Sequence, residues 1–315
     1  MMALPCGAGK VVRIDRGRWA WSARPGPDGW NRMDLSERYQ RAAEAMRDAG
    51  ALVVTAGAGM GVDSGLPDFR GDRGFWNSYP MYERLGLSFV DAANPAHFEE
   101  DPAFGWGFYG HRLGLYRSTA PHGGFGILRS WIERFGLPWF VVTSNVDGQF
   151  QKAGFDGERV VEIHGSIHHL QCTTPCAPAI WENREEVPVD EETMRARAIP
   201  RCPRCGAVAR PNILMFGDYA WLPDRSHAQR RRFDAFVQEH GEKRMVVVEM
   251  GAGTAIPSIR ATSEGLGARE DARVIRINPR EPGIGPPHLS LDVGALDGLS
   301  GIDRALGGGR TQRPL

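Results

Sequence analysis

The chain of 315 residues carries 38 basic and 38 acidic side chains, so its formal net charge is zero and no overall field draws it to nucleic acid or to an anionic membrane. No apolar run reaches the ~20 residues that span a bilayer. With 42% hydrophobic residues, 40 glycines and 22 prolines, the composition is that of a turn-rich globular protein, long enough for one large domain carrying a small one.

In chain order, residues 1–32 hold six basic side chains against Asp15 and Asp28, without a long apolar core or a clear amphipathic helix. They read as a flexible extension ahead of a domain at 33–300. A helix over 34–49 ends at Gly50, a natural C-cap, and an apolar strand at 51–55 opens onto Gly57-Ala58-Gly59. Residues 72–119 are rich in Trp, Phe and Tyr with scattered prolines, and read as short helices covering a pocket. A helix at 123–135 leads to a strand at 138–144, a short helix at 148–153 and a strand at 159–165. The segment 166–211 holds four cysteines and little apolar periodicity. A helix at 224–240, a strand at 244–251, a helix near 257–266, a strand at 272–278 and a strand–helix pair around 288–306 close the domain, with 301–315 read as a tail. Strands alternating with helices imply an α/β fold with a doubly wound, Rossmann-like parallel sheet, drawn from 40–71, 120–165 and 212–300.

The glycine turn lets the backbone pass close to a pyrophosphate, whose charge a following helix N-terminus stabilises. A lone Gly-x-Gly is also a plain tight turn. Here, however, Pro67-Asp68-Phe69-Arg70 follows within a few residues. His164 closes one strand, and Asn145 and Asp147 close another, where side chains face the cleft at the carboxyl edge of a parallel sheet. Imidazole is the side chain whose ordinary pKa suits proton abstraction near neutrality. Cys172, Cys176, Cys202 and Cys205 follow a C-x3-C, spacer, C-x2-C pattern, while Cys6 stands alone. Two such knuckles offer Zn2+ four thiolates and no open position, so the metal stabilises a small module at 166–211 and does no catalysis. Clustered cysteines of this kind read as metal ligation in a reducing compartment, and the protein is expected to be cytoplasmic.

Taken together, these motifs resemble the sirtuins, NAD-dependent protein deacylases, over about residues 40–300. The resemblance runs in order from the glycine turn and Pro67-Asp68-Phe69-Arg70 to Thr143-Ser144-Asn145-Val146-Asp147, Ala153-Gly154 and Glu162-Ile163-His164-Gly165-Ser166. It continues through the cysteines, Arg210 to Asp218, Gly251-Ala252-Gly253 and Asn278. It implies that NAD is consumed, with an acyl group passing from an acyl-lysine protein or peptide to ADP-ribose as nicotinamide leaves. It makes His164 the general base and gives Asn145 and Asp147 the ribose and nicotinamide contacts. Gly57, Ala58, Gly59, Asp68, Phe69, Arg70, Ser144, Gly251, Ala252, Gly253 and Asn278 become NAD-binding residues, with Phe69 shielding the reacting sugar and Arg70 facing phosphate. Ile213, Phe216 and Gly217 become peptide-binding residues. Tyr109 and Arg112 match the Tyr-x-x-Arg that binds acyl carboxylates in desuccinylating members; the other reading is a helix face with a core aromatic and a solvated arginine.

Several positions depart from the family pattern. Gly61 replaces a serine, Ser144 a glutamine, Gly148-Gln149-Phe150 a Gly-Leu-His, Gly251-Ala252-Gly253 a Gly-Thr-Ser, and Asp218 a glutamate. They leave NAD binding in place and put rate and acyl choice in question. Two other functions stay open at this point: mono-ADP-ribosyl transfer or NAD glycohydrolysis on the same scaffold, and a non-catalytic NAD-sensing or zinc-module binding protein.

Overall fold

The computed structural model describes residues 11–14, 18–21, 33–68 and 71–307, with side chains from 33–68 and 74–307. Within the N-terminal extension, β1 (Val11–Ile14) and β2 (Arg18–Trp21) pair antiparallel. Helix α1 (Leu35–Arg47) starts where Asp34 accepts a hydrogen bond from the Glu37 amide at 2.8 Å. It buries Ala42, Ala43 and Met46 against the sheet.

Six strands build that sheet. β3 (Ala51–Ala56) is followed by β4 (Trp139–Thr143) and β5 (Val160–Glu162) on one side. Three antiparallel strands, β6 (Gly165–Cys172), β7 (Ile180–Glu182) and β10 (Ala209–Ile213), and a hairpin of β8 (Val189–Asp190) and β9 (Arg195–Ala196) come next in the chain. The chain then returns to the main sheet as β11 (Met245–Met250), β12 (Arg273–Ile277) and β13 (Leu289–Leu291) on the other side of β3. All neighbours in the main sheet are parallel, in the order β13-β12-β11-β3-β4-β5. This is the doubly wound order whose direction reverses between β3 and β11, the crevice where such sheets bind ligands.

The central strands are apolar on both faces because helices cover both. Leu52, Val54 and Ala56 of β3 face one cluster, packed by α1, α7 (Gly123–Phe135) and α11 (Ala295–Ala305). Val53 of β3 and Val247 of β11 face the other, packed by α9 (Asp224–Glu239) and α10 (Ser258–Gly267). The period-2 alternation of a strand therefore sorts one sequence run between two cores. Helix α11 runs past residue 301, where a tail was expected. Ile302 and Leu306 are buried in the α1 cluster, so apolar burial carries the domain to at least 306.

Short helices α2 (Gly71–Ser78), α3 (Pro80–Arg84), α4 (Phe89–Ala92) and α5 (His97–Glu100) lead to the long α6 (Pro102–Ser118). They pack an aromatic cluster, including Phe75, Tyr79, Tyr82, Phe98, Trp106, Phe108 and Tyr109, against β6 and β10. A one-turn helix, α8 (Gln149–Lys152), links β4 towards β5. The segment lacking periodicity is thus a three-stranded sheet with long loops, and its first strand starts at Gly165, immediately after His164.

Candidate functional site

The carboxyl ends of β3 and β11 meet at two glycine turns. A Cβ on Gly251 would lie 2.4 Å from the Gly59 Cα, and one on Gly59 would lie 2.6 Å from the Gly251 Cα. Gly251 also sits at φ +61°. Backbone touches backbone here, so Gly57 and Gly59 of the β3 turn and Gly251 of the β11 turn accept no side chain. The Gly-Ala-Gly that replaces Gly-Thr-Ser therefore keeps the one position on which packing depends.

These turns wall a cavity of about 790 Å³. Gly57, Ala58, Asp68, Ser144, Asn145, Asp147, His164, Gly251, Ala252 and Gly253 all line it, as do Tyr109, Arg112, Ile213 and Phe216. Gly59, Gly217 and Asn278 do not. Gly59 supports the Gly251 turn from behind, and Asn278 is buried beneath it, donating its amide to the Ala252 carbonyl at 2.8 Å. Phe69 and Arg70 lie outside the described residues.

Each functional side chain is tied to a strand end. The Asn145 amide nitrogen donates to the Gly57 carbonyl at 3.0 Å, which fastens the β4 end to the glycine turn. Asp147 is buried, and its carboxylate accepts from the Gln149 backbone at 2.9 Å. Desolvation pushes its pKa up to about 6, against that hydrogen bond and the Arg112 charge, which lower it. His164 stands just past β5. Burial depresses its pKa below the ordinary histidine value, and a hydrogen bond to the Ser144 backbone opposes that effect. The imidazole is therefore neutral at pH 7 and able to accept a proton.

The next residue explains the His-Gly pair. Gly165 has φ +79°, and a Cβ there would fall 2.0 Å from the Asn212 carbonyl oxygen. Only glycine lets the chain leave the main sheet after His164 and enter the small sheet. Behind the strand, Glu162 is buried in a salt bridge with Arg225, and its backbone is held by Gln229 and Ser226. On the opposite wall, Arg210 pairs bidentately with Asp218 at 2.7 and 2.9 Å, both fully buried. The shorter acid fits, and it also accepts from the Met215 amide at 3.3 Å, bracing the loop that presents Ile213 and Phe216.

Tyr109 and Arg112 project from one face of α6 into the cavity, so the solvated-arginine reading is set aside: Arg112 is 6% exposed. Several wall residues escaped the sequence reading. Tyr116 lies four positions beyond Arg112 on the same helical face, a spacing visible in the sequence. Glu281 lines the cavity and accepts from Thr254. Behind the wall, Arg280 donates to the cavity residue Asp68 at 2.6 Å. No local pattern marks either of these last two.

The four cysteine sulfurs all lie within 4.8 Å of one another. Cys172 and Cys205 are 3.7 Å apart, as are Cys176 and Cys202. Tetrahedral zinc with Zn–S near 2.3 Å requires S···S separations of about 3.8 Å, so this donor set fits the ion. Hydrogen bonding to Cys205, then burial, pushes the Cys176 thiol up to about 12, so the four sulfurs would become thiolates together only with a cation between them. None of the four cysteines lines the cavity.

Comparison with known proteins agrees with this geometry. The model of the Sir2 family matches residues 57–237. An NAD-dependent protein deacylase of Thermococcus kodakarensis is 30% identical over 78% of this chain and 86% of its own length. Another, of Thermococcus sibiricus, is 29% identical over 75% of this chain and 83% of its own. Among solved structures, a mutant Sir2 homologue in complex with ADP ribose superposes with a TM-score of 0.66 at 25% identity, covering 90% of this chain and all (100%) of that one. A Sir2 bound to acetylated peptide shares the fold with a TM-score of 0.60 at 18% identity.

Proposed function

The chain belongs to the Sir2 family, and on that premise we propose that it is an NAD-dependent protein-lysine deacylase, which transfers an acyl group from lysine to ADP-ribose and releases nicotinamide. The observation that carries the reading is the convergence of His164, Asn145 and Asp147 on one cavity at the switch point of the sheet. Bound NAD supplies the sugar carbon that the acyl oxygen attacks, and water finally frees lysine and O-acyl-ADP-ribose.

The chain's own groups have distinct tasks. Neutral His164 takes a proton from a ribose hydroxyl as that oxygen turns on the acyl carbon. Asp147, ionised above about pH 6, places a desolvated negative charge where the sugar becomes electron-poor. Asn145 holds the turn that carries Gly57. Gly57, Ala58, Asp68, Ser144, Gly251, Ala252 and Gly253 hold the nucleotide, with Gly59 and Asn278 supporting that wall from behind. Ile213, Phe216 and Gly217 bind the peptide flanking the acyl-lysine, and Tyr109 with Arg112 receives the acyl end, which extends the activity to succinyl groups. The four cysteines hold zinc as a structural tie, and their need for reduced thiols fits a cytoplasmic protein. Among the described residues no helix is long and apolar enough to cross a membrane.

Incubation with NAD and peptides bearing acetyl-, succinyl- or longer-acyl-lysine tests the reading by mass spectrometry. Nicotinamide and O-acyl-ADP-ribose in equal amounts are expected. ADP-ribosylated protein or free ADP-ribose alone would replace the reading with transfer or glycohydrolysis. NAD binding without nicotinamide release would replace it with a non-catalytic role.

A further inference from the structure

Arg112 is held in an unusual way. A guanidinium offers five N–H donors, and the edge formed by Nε and one Nη is the one that grips a carboxylate with two parallel hydrogen bonds. Here both donors of that edge converge on a single neutral oxygen, the Tyr116 hydroxyl. Nε donates to it at 3.0 Å and Nη2 at 2.7 Å. The guanidinium carbon also lies 5.0, 5.6 and 5.3 Å from the ring centres of Phe108, Tyr109 and Tyr116. Three aromatic faces and a phenol oxygen thus stand among the neighbours of this buried charge.

Tyr116 is itself on the cavity wall, beside Tyr109 and Arg112, and is 5% exposed. It arrives there because positions 109, 112 and 116 share one face of α6. A phenylalanine would fill the same volume in the aromatic cluster. What the hydroxyl adds is an acceptor on the arginine edge that an incoming carboxylate would use.

We propose that Tyr116 determines acyl selectivity: its hydroxyl occupies the Nε/Nη2 edge of Arg112 as a built-in stand-in for a carboxylate, so a dicarboxylic acyl chain such as succinyl binds that edge only by displacing the phenol. Acyl groups without a carboxylate leave the edge capped and the buried charge satisfied. The proposal rests on the reading that the acyl end enters between Tyr109 and Arg112. It makes Tyr116 a positioning residue, acting on the acyl group through Arg112.

The test is Tyr116→Phe, assayed for kcat/KM on acetyl-lysine and succinyl-lysine forms of one peptide at saturating NAD. The succinyl-to-acetyl ratio is expected to rise about tenfold, the value of one hydrogen bond to a charged group returned to the substrate. The rise should appear as a lower KM for the succinyl peptide. Structural damage lowers both activities and cannot raise one of them. Should the phenylalanine variant misfold, Tyr116→Met, which also lacks the hydroxyl, carries the same expectation. An unchanged or lower ratio in a folded variant overturns the proposal. Arg112→Met separates the two levels. If it lowers succinyl turnover more than acetyl turnover while Tyr116→Phe fails to raise the ratio, the acyl-pocket reading stands and the role of Tyr116 falls. If Arg112→Met lowers both equally, the acyl-pocket reading itself falls, and this proposal with it.

Discussion

Replacing Asp147 by asparagine should make the protein more stable and inactive at once. Asp147 is 8% exposed, and burial raises its carboxyl pKa from the ordinary 3.8 to about 6. The folded state therefore binds this proton more tightly than the unfolded chain. Above pH 6 both states are ionised, and the folded protein bears the full cost of a desolvated charge. Below 3.8 both are protonated and the cost is absent. At about 1.4 kcal/mol per tenfold change in proton affinity, the cost near neutrality is about 3 kcal/mol. Asparagine keeps the oxygen that accepts from the Gln149 amide at 2.9 Å and carries no charge. Urea unfolding of the NAD-free, zinc-loaded protein at pH 7.5 should show the variant more stable by about 2–3 kcal/mol, a rise in Tm of roughly 6 °C for a domain of this size. At pH 4 the difference should shrink below about 1 kcal/mol. Nicotinamide release should be lost. A variant of equal or lower stability at pH 7.5, or a gain that does not change with pH, would refute the view that this acid is held against a desolvation cost for its chemistry.

Three further outcomes follow from the site. His164→Ala should lower turnover by roughly 10²–10⁴-fold while NAD still binds, as read by calorimetry; retained turnover removes the imidazole from the proton transfer. Cys202→Ser should release zinc and melt the small module, because metal binding and folding are coupled there; a variant of normal zinc content, measured by atomic absorption, and normal Tm contradicts the four-thiolate site. Gly251→Ala should cost at least about 2 kcal/mol and weaken NAD binding, since the new Cβ meets the Gly59 backbone at φ +61°. A neutral effect would mean that the two turns separate freely.

Strand and helix order were legible because the chain punctuates itself. Gly136, in the left-handed region, stops one helix, and the runs Ala51–Ala56 and Met245–Met250 are continuously apolar enough to read as doubly covered strands; the helix expected to end at Gly50 instead ends at Arg47, with Asp48 as its cap. The helix expected over 123–135 is observed as Gly123–Phe135. The zinc ligands were equally plain, since their spacing is itself the chemistry. The small sheet was missed because β6, β7 and β10 owe their pairing to partners far along the chain, not to an alternating pattern of their own. The closing helix read within 288–306 is observed as Ala295–Ala305, but the domain boundary drawn at 300 cut through it, because Ile302 is buried in a cluster shared with α1, almost 260 residues upstream in the chain.

Sequence by itself determined which groups are present for the reaction and which turns must be glycine, because bond-forming chemistry and steric exclusion belong to residue types. It also named Arg112 and Tyr109. Only the tertiary structure decided what those groups face. It set Asp147 out of water, gave Asn278 a buried supporting place, and folded Tyr116 onto the arginine edge. Desolvation and hydrogen-bond partnership depend on neighbours that meet only when the sheet, the aromatic helices and the cysteine-bearing strands close around one cavity.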